Sequence, residues 1–319
     1  MFSDARFRAM GSDVHLVVHG SQALVDLAVT RLAALEAAWS RFRPDSEISR
    51  LNAGAGRWLE VSAPTALLLQ RAVEGWRLTG GAYDPLLLHA LQAAGYDRSF
   101  EALDPALPAV PPARWWNRPL PPEIEVNGSA ARIPAGAGFD PGGIGKGLAA
   151  DLVTADLMAA GAVGVCVSVG GDVRVRGTAP GGTPWTIAVE HPLAAAPVTL
   201  VGLWDGALAT SSVLRRVWQA GGRPRHHIIE PDTGVPARTT ADLASVIAGD
   251  AWLAEVLTKP VLLRPADRRF DNVPSGCAAL AVVADGTVAA TASMSRFTGG
   301  ALVPTVLRSV ERTHPGGAR

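Results

Sequence analysis

Lysine is almost missing from this chain: of 29 basic residues only Lys146 and Lys259 are lysine, and the rest are arginine. Cysteine is as scarce. Cys166 and Cys277 both sit in apolar runs, VGVCVSV and SGCAALAVV, so buried thiols are expected rather than a disulfide framework or a cysteine metal site. Net charge is lacking too, because 29 acidic residues balance the 29 basic ones, and nothing indicates a basic face for nucleic acid. No apolar run reaches the ~18 residues that a membrane helix needs. The opening MFSDARFRAMGSDVHLVV holds neither an uninterrupted apolar segment nor a small-residue cleavage site. No membrane span is therefore expected, and cytoplasmic is the default location.

What remains is an ordinary globular composition: 319 residues, 48% hydrophobic and 18% charged, enough for a sizeable core in one domain or two coupled lobes. The surplus of Ala, Gly and Arg reads as coding bias, and against it a surviving lysine is informative. An ammonium is a compact point charge that fits where the planar guanidinium fork does not.

Periodicity gives a mixed α and β chain. DVHLVVHG alternates like a strand, and SQALVDLAVTRLAALEAAWSRF follows with helical spacing. SEISRLN is short and capped; SAPTALLLQRAVEGWRLTGG is a second helix with Ser62 as N-cap and Gly80-Gly81 as its stop. Residues 104–122 form a proline-rich connector. Beyond it, short strands at EIEVNG and ARIPA precede the GGIGKG turn and the helix LAADLVTADLMAAG. Further strands are expected at VGVCVSVGGDVRVRG, WTIAVEHP, PVTLVGLWDGALAT and HHIIEP. AWLAEVLTKPVLL reads as a helix ending near Pro260, and AALAVVADGTVAA as a hairpin turning at Asp285-Gly286. Residues 1–290 are expected to form the working unit and 291–319 a loosely held tail.

GGIGKG, residues 142–147, is not a P-loop: Asp140 stands where the first glycine belongs, and Gly147 follows the lysine in place of a magnesium-binding hydroxyl. A dinucleotide fingerprint fits no better, since no apolar strand runs into the turn. Two readings stay open on spacing alone. One is a helix start with a solvated lysine; the other is an anion cradle in which free N–H groups and the Lys146 charge meet a phosphate.

The surrounding motifs decide between them. AMGS (9–12), WSRFRPDSEISRLN (39–52), GGAYDPLL (80–87), FDPGGIGKGLAAD (139–151), VSVGGDVRVRG (167–177), ALATSS (207–212), HHIIEPDTGVP (226–236) and AEVLTKPVLL (254–263) occur in that order. Together they resemble the ApbE family of flavin transferases over roughly residues 5–290. The resemblance implies an α+β, T-fold-like architecture with antiparallel sheets packed against helices. It also implies a reaction: FAD is split at its pyrophosphate with the help of Mg²⁺, FMN is joined through its phosphate to a Thr or Ser of a target flavoprotein, and AMP leaves. An FAD pyrophosphatase, or an FAD-binding protein with an impaired metal site, is the alternative.

The same resemblance assigns residues. Met10, Phe42, Ala82, Tyr83, Asp84, Asp140, Lys146 and Ile229 fall on FAD-binding positions, Phe42 standing where tyrosine is frequent. His227 matches the base for the acceptor hydroxyl, and imidazole titrates in a suitable range. Gly143 matches a residue whose carbonyl ligates the metal. The family's remaining ligands, Asp and Thr in A-D-x-x-x-T, correspond here to Glu255 and Lys259. Glu255 keeps a carboxylate, but a protonated lysine ligates nothing, so either Thr258 takes over as ligand or the Lys259 ammonium weakens or replaces the metal. Glu230, after HII, is a further departure from the usual aspartate.

Overall fold

The computed structural model describes residues 1–103 and 121–299, so nearly all of the proline-rich connector expected over 104–122 lies outside the described residues. In chain order the elements that build the site are β1 (Phe2–Ala9), β2 (Ser12–His19), α1 (Gln22–Trp39), α2 (Glu47–Ala53), α3 (Ala63–Leu78), α4 (Leu88–Ala93) and α5 (Gly145–Ala159). They continue with β3 (Gly164–Val169), β4 (Asp172–Gly177), β5 (Gly206–Ser212), β6 (Ala241–Ala248), α6 (Ala251–Leu263), β7 (Ala278–Val283), β8 (Val288–Ala290) and α7 (Ser295–Thr298). The eight strands form one sheet in which each pairs antiparallel with the next. This antiparallel α+β architecture is the one expected.

Alternation along each strand sends its side chains to two separate cores. One face carries Val165, Val167 and Val169 of β3, Ala207 and Ala209 of β5, Ala244 of β6 and Ala279 of β7, and α5, α6 and α1 pack in the same core. Alanine there is a spacing device, because short side chains let the helices come close. The opposite face carries Val173, Val175, Leu208, Leu243, Ile247 and Leu280, covered by a hairpin of Trp185–Val189 and Thr199–Leu203 and by Met294. With both faces covered, β6 and β7 read as nearly continuous apolar runs.

Several boundaries differ from the periodicity reading. β1 escaped it because FSDARFRA is a charged edge strand whose residues are almost all exposed or half-buried. α5 starts at Gly145, before the expected Leu148, which puts Lys146 in its first turn. α6 runs through Pro260 to Leu263; burial of Val261 and Leu262, and the bond from the Arg264 N–H to the Pro260 carbonyl at 3.0 Å, hold the last turn. Residues 291–298, read as the start of a loose tail, form a 3₁₀ turn and α7, with Met294 fully buried. The hairpin at Asp285-Gly286 forms as expected, with Gly286 at φ 89°. No described helix is long and apolar enough to cross a membrane.

Candidate active site

The site is assembled where the first turn of α5 meets α6. Gly147 allows that approach, since a Cβ on it would lie 2.4 Å from the Ala251 carbonyl oxygen. The two helices then cap one another. Glu255 of α6 accepts the free Gly147 N–H at 2.8 Å, while Asp151 of α5 accepts the N–H groups of Ala251 and Trp252 at 2.8 and 2.9 Å. Lys146 reaches from the same turn into a carboxylate pair, bonding Asp172 and, at 2.5 Å, Glu255. Burial works against its charge, but the two carboxylates outweigh burial and hold the ammonium's pKa above the ordinary lysine value. Asp172 hangs on the Gly170-Gly171 turn between β3 and β4 and also accepts the Thr210 N–H at 3.2 Å.

Two other turns close the site. Met10 and Gly11 link β1 to β2 with φ of 54° and 62°, a hairpin turn in which a non-glycine residue holds a left-handed conformation. Arg216, also left-handed at φ 49°, ties that turn down by donating to the Gly11 carbonyl at 3.1 Å and the Ser12 hydroxyl at 2.9 Å. Asp140 accepts the Gly142 N–H at 2.6 Å and pairs with Arg41 Nε at 2.8 Å. The Arg41 guanidinium in turn stacks on Phe42 and Tyr96, 4.2 and 4.6 Å from their ring centres.

These elements surround one cavity of about 1240 Å³. Met10, Phe42, Ala82, Tyr83, Asp84, Asp140, Gly143, Lys146, His227, Ile229, Glu255 and Lys259 all line it, whereas Thr258 and Glu230 do not. Tyr83 Oη and His227 Nδ1 in the wall are buried without a hydrogen-bond partner among the described residues. Such orphans cost about 1–3 kcal/mol each, and a polar group entering the cavity would satisfy them. Burial, with Arg216 and His226 nearby, pushes the His227 pKa well below the usual imidazole value, so the ring is neutral at neutral pH. His226, its neighbour, is structural: it bonds the Ala237 carbonyl at 3.1 Å and accepts the Ile228 N–H at 3.3 Å.

The family model described as the ApbE family matches residues 10–281. The chain belongs to the ApbE family. It is 31% identical over 260 residues to the FAD:protein FMN transferase of Rhodobacter capsulatus, covering 78% of this chain and 49% of that one. It is 30% identical over 261 residues to the FAD:protein FMN transferase of Treponema pallidum, covering 74% and 69%. The chain thus spans about half the length of the first of these relatives and about two thirds of the second. Among solved structures, the ApbE protein of Thermotoga maritima superposes with a TM-score of 0.82 at 26% identity, covering 93% of this chain and 99% of that one. The apo flavinyl transferase ApbE of Pseudomonas stutzeri gives 0.77 at 23%, covering 95% and 98%, which bears on the fold alone.

The donors that the ApbE pattern assigns to a divalent ion do not suit one here. Glu255 is committed through both oxygens, to Lys146 and to the Gly147 N–H. Thr258 is fully buried behind the cavity wall; its hydroxyl donates to the Glu255 carbonyl at 2.6 Å and meets Ser211, which does line the cavity, at 2.7 Å. Gly143 keeps its carbonyl, but the Lys259 side chain packs beside this glycine, with Cε 3.3 Å from where a Cβ on it would be. An ion would meet two ammonium groups in place of ligands. Thr258 as a replacement ligand is therefore not supported by this geometry.

Arg41, Asp172, Ser211 and Arg216 line the cavity or bond its residues, yet the sequence assigned none of them a definite role: the Gly170-Gly171-Asp172 turn read equally as a tight turn or as an approach to the nucleotide, and Ser211 only as part of the ALATSS block. A faint sign existed for Asp172 in the Gly-Gly-Asp turn. Arg41 and Arg216 are hidden among many arginines, and only the fold brings them to Asp140 and Ser12.

Proposed function

We propose that the chain binds FAD as substrate in this cavity and transfers its FMN half to a threonine or serine hydroxyl of a protein, releasing AMP. One observation carries the reading: a helix N-terminus, a fixed ammonium and a neutral imidazole face the same cavity, which is larger than the ~300–1,000 Å³ of common small-ligand sites. The names of the ApbE relatives support it.

Each part of the chemistry has a residue. Phosphoryl transfer needs its negative oxygens held and neutralised, which suits Lys146 and the first turn of α5. The acceptor oxygen forms a bond to the FMN phosphorus while the phosphorus–oxygen bond to AMP breaks, and His227 takes the hydroxyl proton. Tyr83, Phe42, Met10, Ala82, Asp84, Asp140 and Ile229 supply aromatic, apolar and hydrogen-bonding wall for the flavin and nucleotide. Their spread from Met10 to Lys259 is why residues 1–290 are proposed as one catalytic unit. The Mg²⁺ of the family pattern finds no free ligand set among these residues.

The test is incubation of the protein with FAD and a threonine-containing flavinylation domain, then a denaturing gel. Flavin fluorescence that stays with the acceptor domain is expected. Conversion of FAD to free FMN and AMP without labelling would replace this reading with a pyrophosphatase, and FAD recovered intact would leave a binding protein.

A further inference from the structure

Lys259 stands on α6 one turn after Glu255, and its ammonium is held by the site itself. It donates to the Glu255 backbone carbonyl at 2.9 Å and lies 3.4 Å from the Ser211 hydroxyl. Its Cε flanks Gly143, 3.3 Å from where a Cβ on that glycine would lie. Glu255 and Ser211 thus converge on Lys259 Nζ, with Gly143 beside its Cε. An ammonium has three N–H donors, and two are directed at protein oxygens, which leaves one for a ligand in the cavity that Lys259 lines.

Charge arithmetic points the same way. Lys146 and Lys259 balance Asp172 and Glu255, so the cluster is neutral before a ligand arrives. Remove Lys259 and two carboxylates face one ammonium, with a gap beside Gly143 and the Ser211 hydroxyl. That excess negative charge, lined by oxygens, is what a divalent cation requires. With Lys259 present, the requirement is already met by a covalently attached charge.

We propose that the Lys259 ammonium is the built-in cation of this site, standing where the ApbE ligand pattern puts a divalent ion and taking a pyrophosphate oxygen of FAD directly. The proposal rests on the flavin-transferase reading above. A tethered ammonium cannot be chelated away, so metal chelators leave FAD binding intact, and the P–O bond change described above proceeds with Lys146 and Lys259 holding the phosphate oxygens. Lys259→Thr converts the site to one that needs metal.

FAD binding by the wild-type chain, followed by flavin fluorescence in EDTA and in Mg²⁺, tests the first half without a variant. The affinities are expected to agree within about twofold, while a loss of about tenfold or more in EDTA overturns the proposal. Mn²⁺ binding, read by the electron paramagnetic resonance of free Mn²⁺ in the presence of FAD, tests the second half. Wild type is expected to bind none and Lys259→Thr to bind one ion, with FAD affinity of the variant falling about tenfold or more when Mn²⁺ is withdrawn. Stoichiometric Mn²⁺ on the wild type overturns the proposal, as does a folded Lys259→Thr variant, with native circular dichroism, that ignores Mn²⁺. FAD binding that needs metal sinks this inference alone; no FAD binding in any condition sinks the transferase reading with it.

Discussion

At the scale of single residues, His227 carries the clearest prediction. Its Nδ1 is buried without a partner and its pKa lies well below 6.5, with burial the main cause. Two consequences follow from that sign. The base is unprotonated throughout the neutral range, so the acid limb of the pH–rate profile falls below the usual histidine value of about 6.5. The folded chain also binds fewer protons than the unfolded chain below that value, so this residue costs stability as pH falls through it. His227→Gln is expected to lower the transfer rate about 10²–10⁴-fold while FAD affinity changes little. The slope of Tm against pH between about pH 7 and about pH 5 becomes shallower in the variant. A variant that keeps the wild-type rate removes His227 as the base; an unchanged slope removes the linkage.

At the scale of elements, the contact of α5 with α6 is the framework of the site, and its glycines separate structural from local demands. A Cβ at Gly147 meets the Ala251 backbone at 2.4 Å, whereas one at Gly145 meets nothing closer than Pro141 Cβ at 3.4 Å, ordinary contact. Gly147→Ala forces the helices apart and is expected to cost about 3 kcal/mol or more, weakening FAD binding with it because Glu255 loses the Gly147 N–H. Gly145→Ala, at the first position of α5, shifts stability by less than about 1 kcal/mol because the added methyl meets nothing closer than ordinary contact. Chemical denaturation of the two variants decides it, and equal losses would mean that close packing is not what Gly147 provides. The glycine-rich start of a helix was legible in the sequence, as were α1, α3 and the hairpin turning at Asp285-Gly286, because turn chemistry and apolar periodicity are local. The partner of Lys146 was not: Glu255 lies 109 positions away, and no spacing rule joins them. Family blocks named both residues, but only the fold shows that they neutralise each other. β1 was missed because an exposed edge strand lacks the apolar alternation by which strands are read.

At the scale of the whole molecule, the sheet is a partition. Its helix-covered face leads to the cavity through α5 and α6, and its other face packs a second core under the hairpin of Trp185–Val189 and Thr199–Leu203. Met294 closes that second core, fully buried, from the segment just after β8, while the residues that line the cavity belong to other elements. A cavity made there is therefore a test of how far the two faces are coupled. Met294→Ala is expected to cost about 2–5 kcal/mol, the range for truncating a buried methionine, and to lower Tm accordingly. FAD affinity of the folded protein should stay within about twofold of wild type, because removal of a side chain on the far face leaves Lys146, Asp172 and Glu255 where they are. Thermal unfolding and flavin-fluorescence titration below the melting transition measure the two quantities separately. A loss of affinity in step with stability would mean that strain crosses the sheet through β4 and β5, whose residues serve both faces: Asp172 and Thr210 at the site, Val173 and Leu208 in the second core.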